Sequence, residues 1–302
     1  MVMEIDSKNS SFFNHKSVMV DQIIYSINDF KQKLDKKFVG IDATLGGGGH
    51  TFELLKKFPN LQMIGLDQDP YAIAAASNKL NIFKNRIKII KTNFSDFKPE
   101  DKVSFVIADL GFNSNQIETA ERGFSFQKDG PIDMRMNPTQ QTKAEDLIQN
   151  LTENELANLI YKYGEERLSR KIARKIKNDI QMKGAYSGTK ELAYAIGGCF
   201  PPKQRYRKIH PATRTFQALR IAVNKEIEVL DKLLSNASSW LVPGGIISII
   251  SFHSIEDRKV KNYFKNDERF FNLTKKPIIP SEDEVKINKR SRSAKLRIAQ
   301  LK

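Results

Sequence analysis

The sequence predicts an α/β protein built on a parallel, doubly wound sheet with helices packed against it. Three observations carry that reading. Apolar, β-branched runs alternate four times with helical patterns over the first 110 residues. The runs end on Asp42, Asp67, the Thr92-Asn93-Phe94 corner and Asp109. Four consecutive glycines, Gly46 to Gly49, separate the first run from the helix that follows it. Ligands of such sheets bind at the carboxyl ends of the strands, where these residues lie.

Residues 1–13 are polar and read as a disordered N-terminus. A stretch from Asn14 leads into an amphipathic helix with Val20, Ile23, Ile24 and Ile27 at helical spacing. Phe38, Val39 and Ile41 form the first strand, and a helix is expected from about Thr51. The second strand is Met63-Ile64-Gly65-Leu66, ending at Asp67. A helix spans Pro70 to Leu80, with proline at a position where its missing N–H costs nothing. Arg86–Ile90 and Val103–Asp109 are the third and fourth strands. The stretch from Gly111 to Met136 is irregular and rich in glycine and aromatics, which in a compact domain marks function. From 142 to 200 the pattern is helical, with Leu168, Ile172, Ile176 and Ile180 as one apolar stripe among basic residues. A helical domain is therefore expected at 139–212, inserted into a sheet domain made of 14–138 and 213–302. The second part should hold one helix over 213–238, a Pro243-Gly244-Gly245 turn, a strand at 246–251, a helix at 254–267 and a last strand at 293–300.

Fifty Lys and Arg against 35 Asp and Glu leave a formal charge of +15 over 302 residues, which favours a polyanionic partner such as nucleic acid. The lone cysteine, Cys199, excludes a disulfide within the chain and a cysteine zinc site, and suits a reducing cytosol. No apolar run approaches membrane-spanning length and no signal pattern opens the chain, so a cytoplasmic protein is expected.

The glycine loop narrows the ligand. A dinucleotide fingerprint would need glycine or alanine where Thr51 stands, and no Lys-Ser/Thr pair follows the glycines as in a P-loop. A nucleoside without a pyrophosphate fits better, and S-adenosylmethionine is the common one. A carboxylate such as Asp67, about 20 residues beyond the glycines, is where such a site grips ribose hydroxyls. A zinc deaminase is excluded, because His-x-Glu followed by Pro-Cys-x-x-Cys is missing.

Longer motifs point further. In order along the chain come Asp42-x-Thr44-x-Gly46-x-Gly48-Gly49-His50, Arg122-Gly-Phe-Ser-Phe-x-x-Asp129-Gly-Pro, Asp133-Met-Arg-Met and Tyr163-Gly-Glu-Glu-Arg167. They continue with His210-Pro-Ala-Thr-Arg-Thr-Phe-Gln-Ala-Leu-Arg220, Ser251-Phe-His-Ser-x-Glu-Asp-Arg258 and Arg290-Ser-Arg-Ser-Ala-Lys-Leu-Arg297. With these motifs the chain resembles the MraW-type ribosomal RNA methyltransferases over nearly its whole length. The resemblance implies a class I (Rossmann-like) S-adenosylmethionine-dependent methyltransferase sheet with an inserted helical domain. It implies methylation at N4 of a cytidine in the decoding region of 16S ribosomal RNA, with the small ribosomal subunit as partner and no metal. By motif, the cofactor contacts would be Gly48, Gly49, His50, Asp67, Phe94, Asp109 and Gln116. Asp109 and Asn113 are the catalytic candidates. The sequence departs from the family at Phe112-Asn113-Ser114-Asn115, where Val-Ser-Ser-Pro is usual, and the segment between Phe270 and Lys276 reads as a trimmed surface loop.

Several residues carry two readings. Asp67 serves as ribose ligand or as cap of the helix at Pro70, and Phe94 as adenine platform or core. His50 serves as helix cap or as a contact to the methionine portion. Phe112, Phe124 and Phe126 cover a flipped base or fill the core. For RNA, Lys203, Arg205, Tyr206, Arg207, Lys208 and His210 form a basic run around one aromatic, joined by Arg214, and the tail from Val285 adds seven Lys or Arg and no acid. Two other functions remain open at this point: a methyltransferase of the same class acting on another RNA or on DNA, and a non-enzymatic RNA-binding assembly factor.

Overall fold

The structure, a computed structural model, describes residues 17–31, 38–205 and 209–302. The expected N-terminal tail, 1–13, lies outside them. The chain divides into two compact units: residues up to Asn113 with Ile227–Lys302, and Ser114–Glu226. In chain order the first unit contributes α1 (Val20–Lys31), β1 (Val39–Asp42), α2 (Gly49–Lys57), β2 (Gln62–Asp67), α3 (Pro70–Leu80), β3 (Ile87–Lys91) and β4 (Val103–Asp109). The second holds α4 (Ser114–Glu118), α5 (Ala144–Asn150), α6 (Glu153–Gly164), α7 (Ser169–Lys183), α8 (Thr189–Gly198), α9 (Pro202–Arg205) and α10 (Thr213–Asn224). The chain then returns through α11 (Glu226–Trp240), β5 (Leu241–Ser251), α12 (Ser254–Asn266), β6 (Phe270–Asn272), α13 (Glu282–Ile287) and β7 (Lys295–Leu301).

The seven strands lie in the order β3-β2-β1-β4-β5-β7-β6. β1 to β5 pair in parallel, whereas β7 runs antiparallel to both β5 and β6. β4 is buried along its whole length before Asp109, as a central strand covered on both faces must be. Its side chains alternate between two cores: Phe105 and Ile107 face Leu54, Leu55 and Leu296, while Val106 and Ala108 face Leu234, Trp240 and Ile247. α3 begins as its sequence demands, with Asp69 accepting the Tyr71 N–H at 3.1 Å and Pro70 next.

The structure corrects five expectations. The sheet is mixed, because β7 is antiparallel. The helix expected over 213–238 is two helices, broken at Lys225, which has φ 49°. Phe270–Asn272, at the start of the segment expected as a surface loop, form the edge strand β6, and α13 follows further along the chain. Pro243–Gly245 is an irregularity inside β5, with Gly244 at φ 79°, opposite a register shift between Val103 and Phe105. The compact helical unit spans 114–226 instead of 139–212 because its core draws Ile132 and Met134 from the irregular stretch and Phe216, Leu219 and Val223 from α10. α6 opens with a capping box, Thr152 and Glu155 exchanging hydrogen bonds. The expected stripe on α7 supplies buried Ile172 and Ile176.

Gly40 on β1 is required by packing: a Cβ there would sit 2.1 Å from Cζ of Phe105. Gly40→Ala should therefore destabilise the protein by about 1–3 kcal/mol. Urea unfolding of Gly40→Ala, Phe105→Leu and the double variant tests this, since the double variant should lose clearly less than the sum of the singles. Additive losses would mean that the ring is not what excludes a side chain.

Candidate active site

The carboxyl ends of β1, β2 and β4 are tied together by buried polar groups. Asp42, 1% exposed, ends β1. Its Oδ2 accepts the Thr51 hydroxyl at 2.7 Å and its Oδ1 accepts the Thr44 N–H at 3.2 Å. Thr51, which breaks the dinucleotide fingerprint, is therefore the residue that binds the loop's acid to α2. Thr44 Oγ1 in turn accepts the Asp109 N–H at 2.6 Å. The loop backbone is held by Ala43 N–H to Ile107 O and Leu45 N–H to Leu66 O, both 2.9 Å. Gly46 and Gly48 take φ values of 52° and 75°, which only glycine adopts without strain. Gly48 is the N-cap of α2, and a Cβ on Gly49 would meet Ser17 Oγ at 1.9 Å.

Asp67 lies at the end of β2. Its Oδ2 accepts the Gly46 N–H and its Oδ1 the Asp69 N–H, each at 2.8 Å. The cap of α3 is Asp69, so the capping alternative for Asp67 falls away. Each carboxylate oxygen retains capacity for a further donor. Burial pushes Asp67 up to about 6, against the pull of those two N–H groups.

Asp109, at the end of β4, is likewise pushed up to about 6 by burial. Its Oδ2 is 3.9 Å from His50 Nδ1, and its Oδ1 is shut from solvent with no hydrogen-bond partner. His50 is buried in the first turn of α2 and its Nε2 donates to the Val18 carbonyl at 2.8 Å. The ring is thus neither cap nor free: one nitrogen anchors the segment before α1, and Nδ1 is turned to Asp109. Phe94 lies half-buried in a 3-10 turn and packs against the core that holds Val106, Leu234 and Trp240. Next to it Asn93 joins Gln68 at 3.1 Å. Asn113 Cβ is 4.0 Å from where a Cβ on Gly46 would stand. Asp67, His50, Asp109 and Asn113 thus gather around one loop. Asp42 and Thr44, which order it, have structural roles that the spacing alone did not reveal.

A profile of the MraW methylase family matches residues 12–302. Ribosomal RNA small subunit methyltransferase H of Prochlorococcus marinus (strain MIT 9312) is 69% identical over 299 residues, 99% of this chain and 100% of that protein. The protein of the same name from strain MIT 9215 is 69% identical over 300 residues, again 99% of this chain and 100% of the relative. The chain belongs to the MraW methylase family. Its fold is a mixed seven-stranded sheet with a helical unit inserted between β4 and β5. A solved rRNA methylase of Streptococcus thermophilus is more distant, with 11% identity, TM-score 0.43, and 92% of this chain and 94% of that one covered.

Of the remaining predicted residues, all but Phe112 belong to the helical unit. Gln116 is buried in α4. Lys203 and Arg205 are exposed on α9, and Arg205 donates to the carbonyls of Phe200 and Gly198 at 2.8 and 3.3 Å. Tyr206, Arg207 and Lys208 lie outside the described residues. His210 accepts the Ala212 N–H at 3.1 Å and packs on Phe126, with ring centroids 4.7 Å apart. Phe126 also packs edge-on against Phe216, so it belongs to the core of this unit. Arg214 donates to the Glu165 carbonyl at 3.2 Å. Phe112 is 37% exposed, and the Arg122 guanidinium lies 5.9 Å from the Phe124 ring centroid.

The raised Asp109 carboxyl makes a linkage prediction. Because its folded value, about 6, exceeds the ordinary 3.8, ionising it opposes folding. The stability this group contributes is full below pH 4 and is lost as pH rises through 6. Asp109→Asn should therefore be more stable than the parent at pH 7, with the gain vanishing near pH 4. Urea unfolding at pH 4, 5.5 and 7 tests the sign, and a gain independent of pH would contradict it.

Proposed function

We propose that this chain transfers the methyl group of S-adenosylmethionine to N4 of a cytidine in the decoding region of 16S ribosomal RNA. Membership of the methylase family and the names of its relatives support the substrate class. The observation that carries the chemistry is Asp109 Oδ1, a buried acceptor without a partner at the end of β4. No helix among the described residues is long and apolar enough to cross a membrane, which is compatible with a cytoplasmic enzyme working on ribosomal particles.

The residues at the strand ends fit the cofactor chemically. They offer acceptors, and S-adenosylmethionine brings ribose hydroxyls, an amine and a positive sulfonium. Asp67 would hold the ribose hydroxyls with the capacity left on its two oxygens. Phe94 would lie against the adenine, and the Cβ-free backbone of Gly46, Gly48 and Gly49 allows close approach. When bound, the cofactor supplies an electrophilic methyl group. The cytosine N4 lone pair is delocalised into the ring, so attack depends on holding N4 in line while its hydrogens are accepted as positive charge develops. Asp109 is the acceptor for that hydrogen. With a pKa pushed to about 6 it is ionised at neutral pH and still basic enough to take a proton. His50 Nδ1, 3.9 Å from Oδ2, is the neighbouring nitrogen that favours the ionised carboxylate and so partly offsets the effect of burial. Asn113 lines the loop beside Gly46 and orients the amino group, Gln116 is a further cofactor contact, and the basic residues from Lys203 to Arg214 bind RNA.

The test uses small subunits lacking the modification, methyl-labelled cofactor and mass mapping of the product nucleotide. The expected product is one methyl on a cytidine N4; label on another atom or base, or none, overturns the reading. Asp109→Ala should lower kcat about 100-fold or more, and activity of the parent should fall as pH drops below about 6. Asp67→Ala should instead act mainly on cofactor affinity, by about 10- to 100-fold.

A further inference from the structure

Outside the strand-end site, the helical unit carries a charged face that the motifs do not cover. α7 buries Ile172, Ala173 and Ile176 and turns Arg170, Lys171, Arg174 and Lys175 to solvent. α8 runs back beside it. Two contacts fix the alignment: Cys199 Sγ lies 3.9 Å from the Lys171 carbonyl oxygen at one end, and Lys183 Nζ lies 3.6 Å from Glu191 at the other. Tyr186 closes the turn by donating to Asp179 at 2.8 Å. The solvent side of α8 presents Lys190 and, one turn on, Tyr194, which is 86% exposed. At the far end the Arg205 guanidinium is fixed on the carbonyls of Gly198 and Phe200. Lys171 and Arg205, 34 positions apart in sequence, thus flank the same Cys199 corner.

The acids of the two helices do not oppose this charge. Asp179 is buried and engaged by Lys175 at 2.7 Å, and Glu191 is held by Ser187 and Lys183. Arg174 is paired with Glu153 of α6 at 3.3 Å, and the Asp129 carboxylate accepts the Lys190 N–H at 2.9 Å. What remains is the cationic surface of Arg170, Lys171 and Lys190, with the Tyr194 ring standing out of α8. Cations at several positions suit the repeated charge of a phosphate backbone, and an uncovered ring on a fixed helix suits a splayed base.

We propose that the α7–α8 hairpin, with Arg170, Lys171, Lys190, Tyr194 and Arg205, is a docking face for unpaired RNA, with the cations on phosphates and Tyr194 stacking on a base. The proposal rests on the ribosomal RNA reading and extends it from Arg205, at the edge of the basic run at 203–210, to residues of α7 and α8. An RNA strand, rather than duplex DNA, is the partner because a duplex keeps its bases stacked away from such a ring.

The full-length protein is titrated with a fluorescent 16S fragment carrying the decoding-region loop, between 50 and 200 mM salt. Arg170→Glu with Lys171→Glu should weaken binding more than about tenfold and lower the salt slope by about one to two. Tyr194→Ala should weaken it about five- to 150-fold with the slope unchanged, and Tyr194→Phe should restore it. Cofactor affinity and thermal unfolding, read alongside, should stay at parental values. If the parent binds and methylates the RNA while these variants match it, the face is only solvated surface and the proposal fails alone. If the parent binds no ribosomal RNA, both readings fail. If duplex DNA binds as tightly and Tyr194→Ala is silent, the face recognises polyanions generally and the RNA assignment is overturned.

Discussion

A single carboxylate sealed from water, Asp42, sets the arrangement on which the strand-end site depends. Burial without partners would make it intolerable, so its oxygens are taken up by the Thr51 hydroxyl and the Thr44 N–H. Those two bonds clamp the start of the glycine loop to the first turns of α2. Thr44 then passes the constraint to β4 through the Asp109 N–H, and Gly46 passes it to β2 through Asp67. Three strand ends are thereby fixed to one another by side chains as well as by the sheet ladder. The loop can stay free of Cβ atoms, open to close approach, without becoming floppy.

The same construction concentrates negative charge. Asp42, Asp67 and Asp109 are each pushed up by burial, and each of the latter two also feels Asp42. His50 is the basic group facing Asp109, at 3.9 Å. Such a cluster opposes folding at neutral pH and favours whatever positive or hydrogen-donating ligand enters. Stability is lower so that binding electrostatics are already in place, the exchange commonly found at functional sites.

Much of this was legible from residues alone. Strand ends, the glycine loop and the acids at 42, 67 and 109 follow from hydrophobic period and turn chemistry, which are local. Pro70 with Asp69 fixed the start of α3 at the expected residue. What was not legible depends on contacts distant in sequence. β6 has three residues, one buried, and no period to read. The break at Lys225 leaves an unbroken apolar stripe in the sequence, and a positive φ on lysine has no sequence signature. The helical unit outgrew its expected limits because Ile132 and Met134, in a stretch without regular structure, bury themselves in its core. At the site, His50 divided its two nitrogens between a carbonyl and an acid, a partition set by where Val18 and Asp109 happen to meet.

Cys199 carries one last consequence. The only thiol in the chain is 3% exposed, sits in the core of the helical unit, and is held above its usual pKa by burial. A bulky disulfide reagent can reach it only when that unit opens, whatever the sheet is doing. Its labelling rate is therefore a natural clock for the breathing of one half of the molecule, with no engineered probe.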